Sequence, residues 1–182
     1  MSVNVIILNG VSSSGKTTLA KAIQKYSHEI WLHVAMDSFI AMLPDGREFD
    51  REWFPMVEVS REGEVLPQMT NGPSGEALLL EMRRLVRGLS ETGFNVIVDE
   101  VAEADTIADY RARLGNNCLV VKVDAPLSEL KRRERERGDR LIGLAREQSE
   151  RVHNGISYDL EVDTHAQTPD ALARLILERI AA

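Results

Sequence analysis

Between the apolar run Val5-Ile6-Ile7-Leu8 and the helical pattern of Leu19, Ala20, Ala22 and Ile23 lies Gly10-Val11-Ser12-Ser13-Ser14-Gly15-Lys16-Thr17. A strand, a glycine-bounded loop and a helix in this order form one β-loop-α unit. The glycines allow backbone conformations closed to other residues, so successive N–H groups can turn inward around an anion at the helix N-terminus. Lys16 adds a cation for terminal phosphates, and the Thr17 hydroxyl is a ligand for Mg²⁺. The spacing predicts a phosphate cradle of Gly10, Ser12, Ser13, Ser14, Gly15, Lys16, Thr17 and Thr18, with Lys16 projecting toward ligand or solvent and not into the core. A Ser/Gly turn joining strand to helix is the plain alternative, and the flanking elements argue against it.

Similar apolar runs recur at residues 30–36, 94–98, 119–123 and 158–162, and helical patterns fall at 17–27, 75–92, 104–114, 127–137, 141–153 and 169–181. Strands alternating with helices predict an α/β fold of three layers, a parallel sheet with helices on both faces. A chain of 182 residues accommodates one such domain, 1–182. Residues 44–74 interrupt the alternation with several prolines and Asp45-Gly46 and Asn71-Gly72 among Trp53, Phe54, Met56 and Leu66. So long an irregular, apolar-containing segment reads as a substrate-covering insertion with short helices or strands, or else as a surface insertion with its own small cluster.

Composition narrows the function classes. A net charge of −7 argues against a nucleic-acid surface, and the basic stretch 131–140 is interleaved with Glu134, Glu136 and Asp139. Cys118, the single cysteine, sits among Leu119, Val120 and Val121 and reads as a buried strand thiol. The apolar run at 5–8 is too short for a signal core or a membrane span, so a cytoplasmic protein without membrane contact is expected. The four histidines lack metal-ligand spacing, so no structural metal is expected.

In an open parallel sheet, ligands bind beyond the carboxyl ends of the strands. Asp37 follows Trp31 to Met36, and Asp99-Glu100 follow Asn95-Val96-Ile97-Val98, the pattern of a Walker B carboxylate that holds Mg²⁺ directly or through water. Asp99 suits that role, with a helix N-cap as the alternative for Asp99 or Glu100. Asp37 is then the candidate base for an acceptor hydroxyl, or the cap of a short helix beginning at Ser38; Glu100 is the next candidate base. Arg133 and Arg137 lie four apart on one helix face and Arg140 follows in Arg137-Gly138-Asp139-Arg140, so three guanidinium groups can meet one anion as a lid over 131–140. Solvated pairing, such as Glu129 with Arg133, is the plainer account. Thr164 and His165 end the last strand and line a nucleotide base or form an ordinary loop.

The block Ile6-Ile7-Leu8-Asn9-Gly10 with Ser12-Ser13 and Gly15-Lys16, then Met36-Asp37-Ser38-Phe39-Ile40 and Pro44, resembles the chloramphenicol phosphotransferase family. The likeness continues through Arg137-Gly138-Asp139-Arg140, Val152-His153-Asn154-Gly155, Tyr158-Asp159 and Glu161-Val162-Asp163-Thr164. It implies a small P-loop kinase with a five-stranded parallel sheet that moves the γ-phosphate of ATP to a primary hydroxyl of an antibiotic. It further implies Asp37 as base, Lys16 as the P-loop lysine, and Arg133, Arg137 and Arg140 as lid arginines. Residues 44–74 are not matched, and they should supply much of the acceptor pocket. A kinase of another hydroxylated metabolite, a toxin-like kinase of nucleotide sugars and a non-catalytic nucleotide-binding protein are the alternatives. The Asn-Lys-x-Asp element of a GTPase is absent.

Overall fold

The computed structural model describes residues 3–138 and 141–181. Five parallel strands, β1 (Val5–Asn9), β2 (Trp31–Ala35), β5 (Asn95–Glu100), β6 (Cys118–Asp124) and β7 (Leu160–Asp163), form one sheet in the order β2-β5-β1-β6-β7. All five residues of β1 are buried, which is why its sequence reads as a continuous apolar run and not as an alternation. Its successive side chains still serve opposite faces. Val5 and Ile7 pack with α3 (Pro73–Glu91) and α4 (Ala104–Leu114) through Met82, Val86, Ile107 and Tyr110. Ile6 and Leu8 pack with α1 (Lys16–Tyr26) and α7 (Pro169–Ala181) through Leu19, Ile23, Leu172 and Ile176. Cys118 opens β6 as a buried thiol, and burial pushes its pKa up.

The insertion resolves into an antiparallel hairpin, β3 (Met56–Arg61) and β4 (Glu64–Met69). Glu62 and Gly63 form its tip with φ of 48° and 83°, the paired positive values of a tight two-residue connection that follows strand twist. Phe54, fully buried in the α3/α4 core, anchors its base.

Three element boundaries differ from the sequence reading. β2 stops at Ala35 because α2 (Met36–Ile40) begins at Met36. The helix expected over 141–153 is only α6 (Leu144–Ser149). Gly143 starts it in the left-handed region at φ 96°, and beyond Ser149 tighter bonds such as Arg151 N to Gln148 O and Asn154 N to Arg151 O turn the chain away. β7 starts two residues later than expected, although Asp159 already bonds to β6: its N–H donates to Val120 O at 2.9 Å, and its carboxylate accepts the Val120 N–H at 2.7 Å. Among the described residues no helix is long and apolar enough to cross a membrane.

Candidate active site

The end of β1 is pinned before the loop begins. Asn9 accepts the Ala102 N–H at 2.8 Å and donates to Ala102 O at 2.9 Å and to the Tyr158 hydroxyl at 2.8 Å. His153 Nδ1 lies 2.7 Å from the same hydroxyl. Burial pushes the Tyr158 phenol up to about 12 and lowers the His153 pKa, so both are neutral at pH 7. Tyr158→Phe should cost about 1–2 kcal/mol of stability at pH 7, read as a lower melting temperature, because it leaves the Asn9 amide short of an acceptor. An unchanged melting temperature would show the staple to be dispensable.

The loop then curls where its side chains permit. A Cβ on Gly10 would lie 2.2 Å from Val123 O, and Gly15 heads α1 at φ 96°, where the nearest atoms to an added Cβ belong to Thr164. Only glycine fits the first position without displacing β6. The hydroxyls of Ser12, Ser13 and Ser14 are buried and have no hydrogen-bond partner among the described residues. Such orphaned hydroxyls in a concave loop mark a place for a polar ligand.

Lys16 is buried, away from solvent, and lines the candidate ligand cavity outside the hydrophobic core. Its Nζ donates to Gly10 O at 2.9 Å and Val11 O at 3.0 Å and lies 3.9 Å from Asp99 Oδ1. The loop carbonyls give the ammonium partners that solvent would otherwise provide. Thr17 Oγ1 donates to Asp99 Oδ2 at 2.6 Å, and His33 Nε2 lies 3.6 Å from the same oxygen. Burial raises the Asp99 pKa, but the His33 ring, the Lys16 charge and the Thr17 hydroxyl outweigh it and hold the carboxyl below the usual range. An ionised carboxylate touching a hydroxyl at the mouth of the cradle is a donor set suited to Mg²⁺.

Asp37 lies in the first turn of α2, whose N-cap is Ala35, so it does not cap a helix starting at Ser38. It lines one cavity of about 420 Å³ together with Ser12, Lys16, Thr17 and Asp99. Nor do Asp99 or Glu100 cap a helix, since both remain in β5 and Glu103 precedes α4. Glu100 is fully buried, accepts the Tyr110 hydroxyl at 2.5 Å and has Arg83 Nη1 at 3.7 Å. Burial pushes its carboxyl up to about 7, against the pull of Tyr110 and Arg83.

The arginines separate. Arg133, on α5 (Leu127–Arg137), donates to Thr164 Oγ1 at 2.9 Å and Thr164 O at 3.1 Å, reaches Ser13 O at 3.4 Å and pairs with Glu129 at 2.7 Å. It braces the cradle against the segment after β7 and lines a cavity that Arg137 also lines. Backbone carbonyls and a carboxylate already use its donors. Arg137 lines the first cavity and also a second of about 440 Å³, bounded by Gly15, Thr18, Arg133, Thr164 and Pro169. Arg140 lies outside the described residues. His165 lines neither cavity; it is exposed, with Nδ1 3.9 Å from Glu129.

Two residues escaped the sequence reading. Glu134, taken there as part of a solvated charge run, is 1% exposed and accepts the N–H groups of Gly143 and Ala145 at 2.7 and 2.9 Å. Gln148, also buried, accepts the Ser12 N–H at 2.6 Å. Neither carries a local signal, because each partner is supplied by another element.

Comparison with known proteins agrees with this geometry. The family described as "Chloramphenicol phosphotransferase-like protein" matches residues 3–181. The curated "Putative O-phosphotransferase Rv2636" of Mycobacterium tuberculosis (strain ATCC 25618 / H37Rv) is 33% identical over 96% of this chain and 80% of its own length. Among solved structures, Mycobacterium tuberculosis APS kinase CysC in complex with AMPPNP and APS has TM-score 0.67 at 16% identity, covering 100% of this chain and 99% of the other. Shikimate kinase from Acinetobacter baumannii in complex with shikimate has TM-score 0.60 at 16% identity, over 98% and 93%. The fold is that of the P-loop kinases, and the chain belongs to the chloramphenicol phosphotransferase-like family, a phosphotransferase acting on a hydroxyl group.

Proposed function

We propose that the protein transfers the γ-phosphoryl group of ATP to a hydroxyl of a small, uncharged, partly apolar molecule, with chloramphenicol or a similar antibiotic alcohol as the first candidate. The observation that carries this reading is the single cavity lined both by the phosphate cradle and by Asp37. Its acceptor end is walled by Met36, Ile40 and Leu43, by Phe49 and Met69 of the insertion, and by Leu144. Among the described residues its only cations are Lys16 and Arg137, while Asp45 and Glu48 add negative charge. An anionic acceptor such as a nucleotide sugar would meet Asp37, Asp45 and Glu48 among the described residues of this wall, which favours the uncharged alcohol.

In this reading the acceptor oxygen forms a bond to the γ-phosphorus as the bond to the bridging oxygen of ADP breaks. The hydroxyl proton passes to the Asp37 carboxylate. Lys16 exchanges its loop carbonyls for phosphate oxygens, and Arg137, set between the two cavities, meets the phosphoryl group as its charge redistributes. The second cavity is the place for the nucleoside, with Thr164 and Pro169 along its wall. Mg²⁺ held by Thr17 and Asp99 would neutralise charge on the phosphate oxygens.

The test is incubation with ATP, Mg²⁺ and a panel of acceptors, chloramphenicol, an aliphatic diol, shikimate, gluconate and a nucleotide sugar, with the added phosphate read by mass. Phosphorylation confined to the uncharged alcohols supports the reading, and modification of an anionic acceptor alone overturns it. Arg137→Ala should lower kcat about tenfold or more while changing ATP affinity less than about threefold, since the contact strengthens only in the transition state. Equal losses in both would assign Arg137 to ground-state binding.

A further inference from the structure

α6 is held on three sides. Glu134 satisfies its first N–H groups, Arg151 pairs with Glu147 at 2.7 Å, and Arg146 reaches Glu64 and, at 3.0 Å, Glu62 at the tip of the hairpin. Gln148 therefore sits on a fixed element, 2% exposed, on the wall of the catalytic cavity.

Its orientation is decided chemically. An N–H donor requires an oxygen, so the Ser12 N–H, 2.6 Å from the side chain, assigns Oε1 to the P-loop and turns Nε2 to the opposite side of the carboxamide. Among the described residues no hydrogen bond uses Nε2, and it is not among the buried atoms left without a partner. Gln148 lines this cavity, so two donor hydrogens that no described residue uses belong to its wall. The orphaned hydroxyls of Ser12 and Ser13 line the same end. Donors converging from a loop and a rigid helix suit an oxygen that gains negative charge.

We propose that Gln148 is a catalytic residue whose Nε2 donates to an oxygen of the γ-phosphoryl group during transfer, a role that rests on the ATP reading above. The rival role is purely a brace for the P-loop through Oε1. Two variants separate them. Gln148→Glu keeps an oxygen for the Ser12 N–H and removes the NH₂ donor; Gln148→Met keeps the volume, removes both and adds no charge.

Affinities for Mg²⁺-ADP alone and for Mg²⁺-ADP with aluminium fluoride, a mimic of the transferring phosphoryl group, are measured by calorimetry on wild type and both variants, with melting temperatures. The donor role predicts ADP affinity within about threefold of wild type in both variants, and a loss of about a hundredfold or more in the fluoride complex, on the scale of one oxyanion donor. The proposal is overturned if Gln148→Met weakens both complexes in parallel while Gln148→Glu matches wild type, or if neither variant changes either complex. Should Gln148→Met melt too low to assay, Gln148→Leu, which likewise has no donor and no charge, takes its place, a selective loss supporting the donor role and a parallel one overturning it. A wild-type chain that binds no ADP overturns the nucleotide reading itself, a failure distinct from wild-type binding with no selective loss in the variants.

Discussion

Asp37→Asn is expected to lower kcat by about 10²–10⁴ while leaving ATP affinity within a few-fold of wild type, the usual consequence of removing a general base. The substitution preserves size and can still hydrogen-bond, but an amide cannot take the acceptor proton. Because Ala35, not Asp37, is the N-cap of α2, the variant removes no helix cap. Steady-state kinetics with a phosphorylated acceptor, beside a thermal melt, separates chemistry from folding. Retained activity would transfer the base role to Glu100, whose carboxyl lies in the same cavity behind the Tyr110 hydroxyl.

Lys16→Ala is expected to reduce phosphoryl transfer by about 10²–10³, the 2–4 kcal/mol of one charged transition-state contact. The burial of Lys16 adds a second consequence that its motif does not announce. Its Nζ ties Gly10 O and Val11 O together, so the alanine variant also loosens the cradle. Lys16→Met keeps the apolar stem and removes only the ammonium. Equal loss of kcat in both variants, with a smaller melting shift for methionine, would assign the effect to charge. Near-normal turnover in Lys16→Met would remove Lys16 from the chemistry.

The cradle, the sheet and the two strand-end acids are legible along the chain because each depends on nearby residues. Gly10 and Gly15 are demanded by the backbone of one loop, and the buried runs of β1, β5 and β6 are demanded by helices on both faces. Asp37 and Asp99 stand where an open parallel sheet presents its carboxyl ends. The hairpin was harder to read, since Glu62-Gly63 lacks the Asn or Asp that marks most two-residue turns and Pro67 interrupts β4.

Arg133 and Arg137 illustrate where the sequence stops. Helical spacing places them on one face, yet Arg133 meets Thr164 and the P-loop carbonyls, while Arg137, one turn later, reaches both cavities. Glu134 and Gln148 go further, for a residue that looks solvated caps α6 and another, 136 positions from its partner, holds the P-loop. The sequence by itself determined the phosphate loop, the β-α alternation and the acids at the strand ends, because backbone conformation and hydrophobic period act between neighbours. Only the tertiary structure decided that Arg137 reaches both cavities and Arg133 one, which residues of the insertion line the first cavity, and that Gln148 meets Ser12. Those contacts join α5, α6, the hairpin and β1, and they exist only once the crossovers have brought distant segments to one end of the sheet.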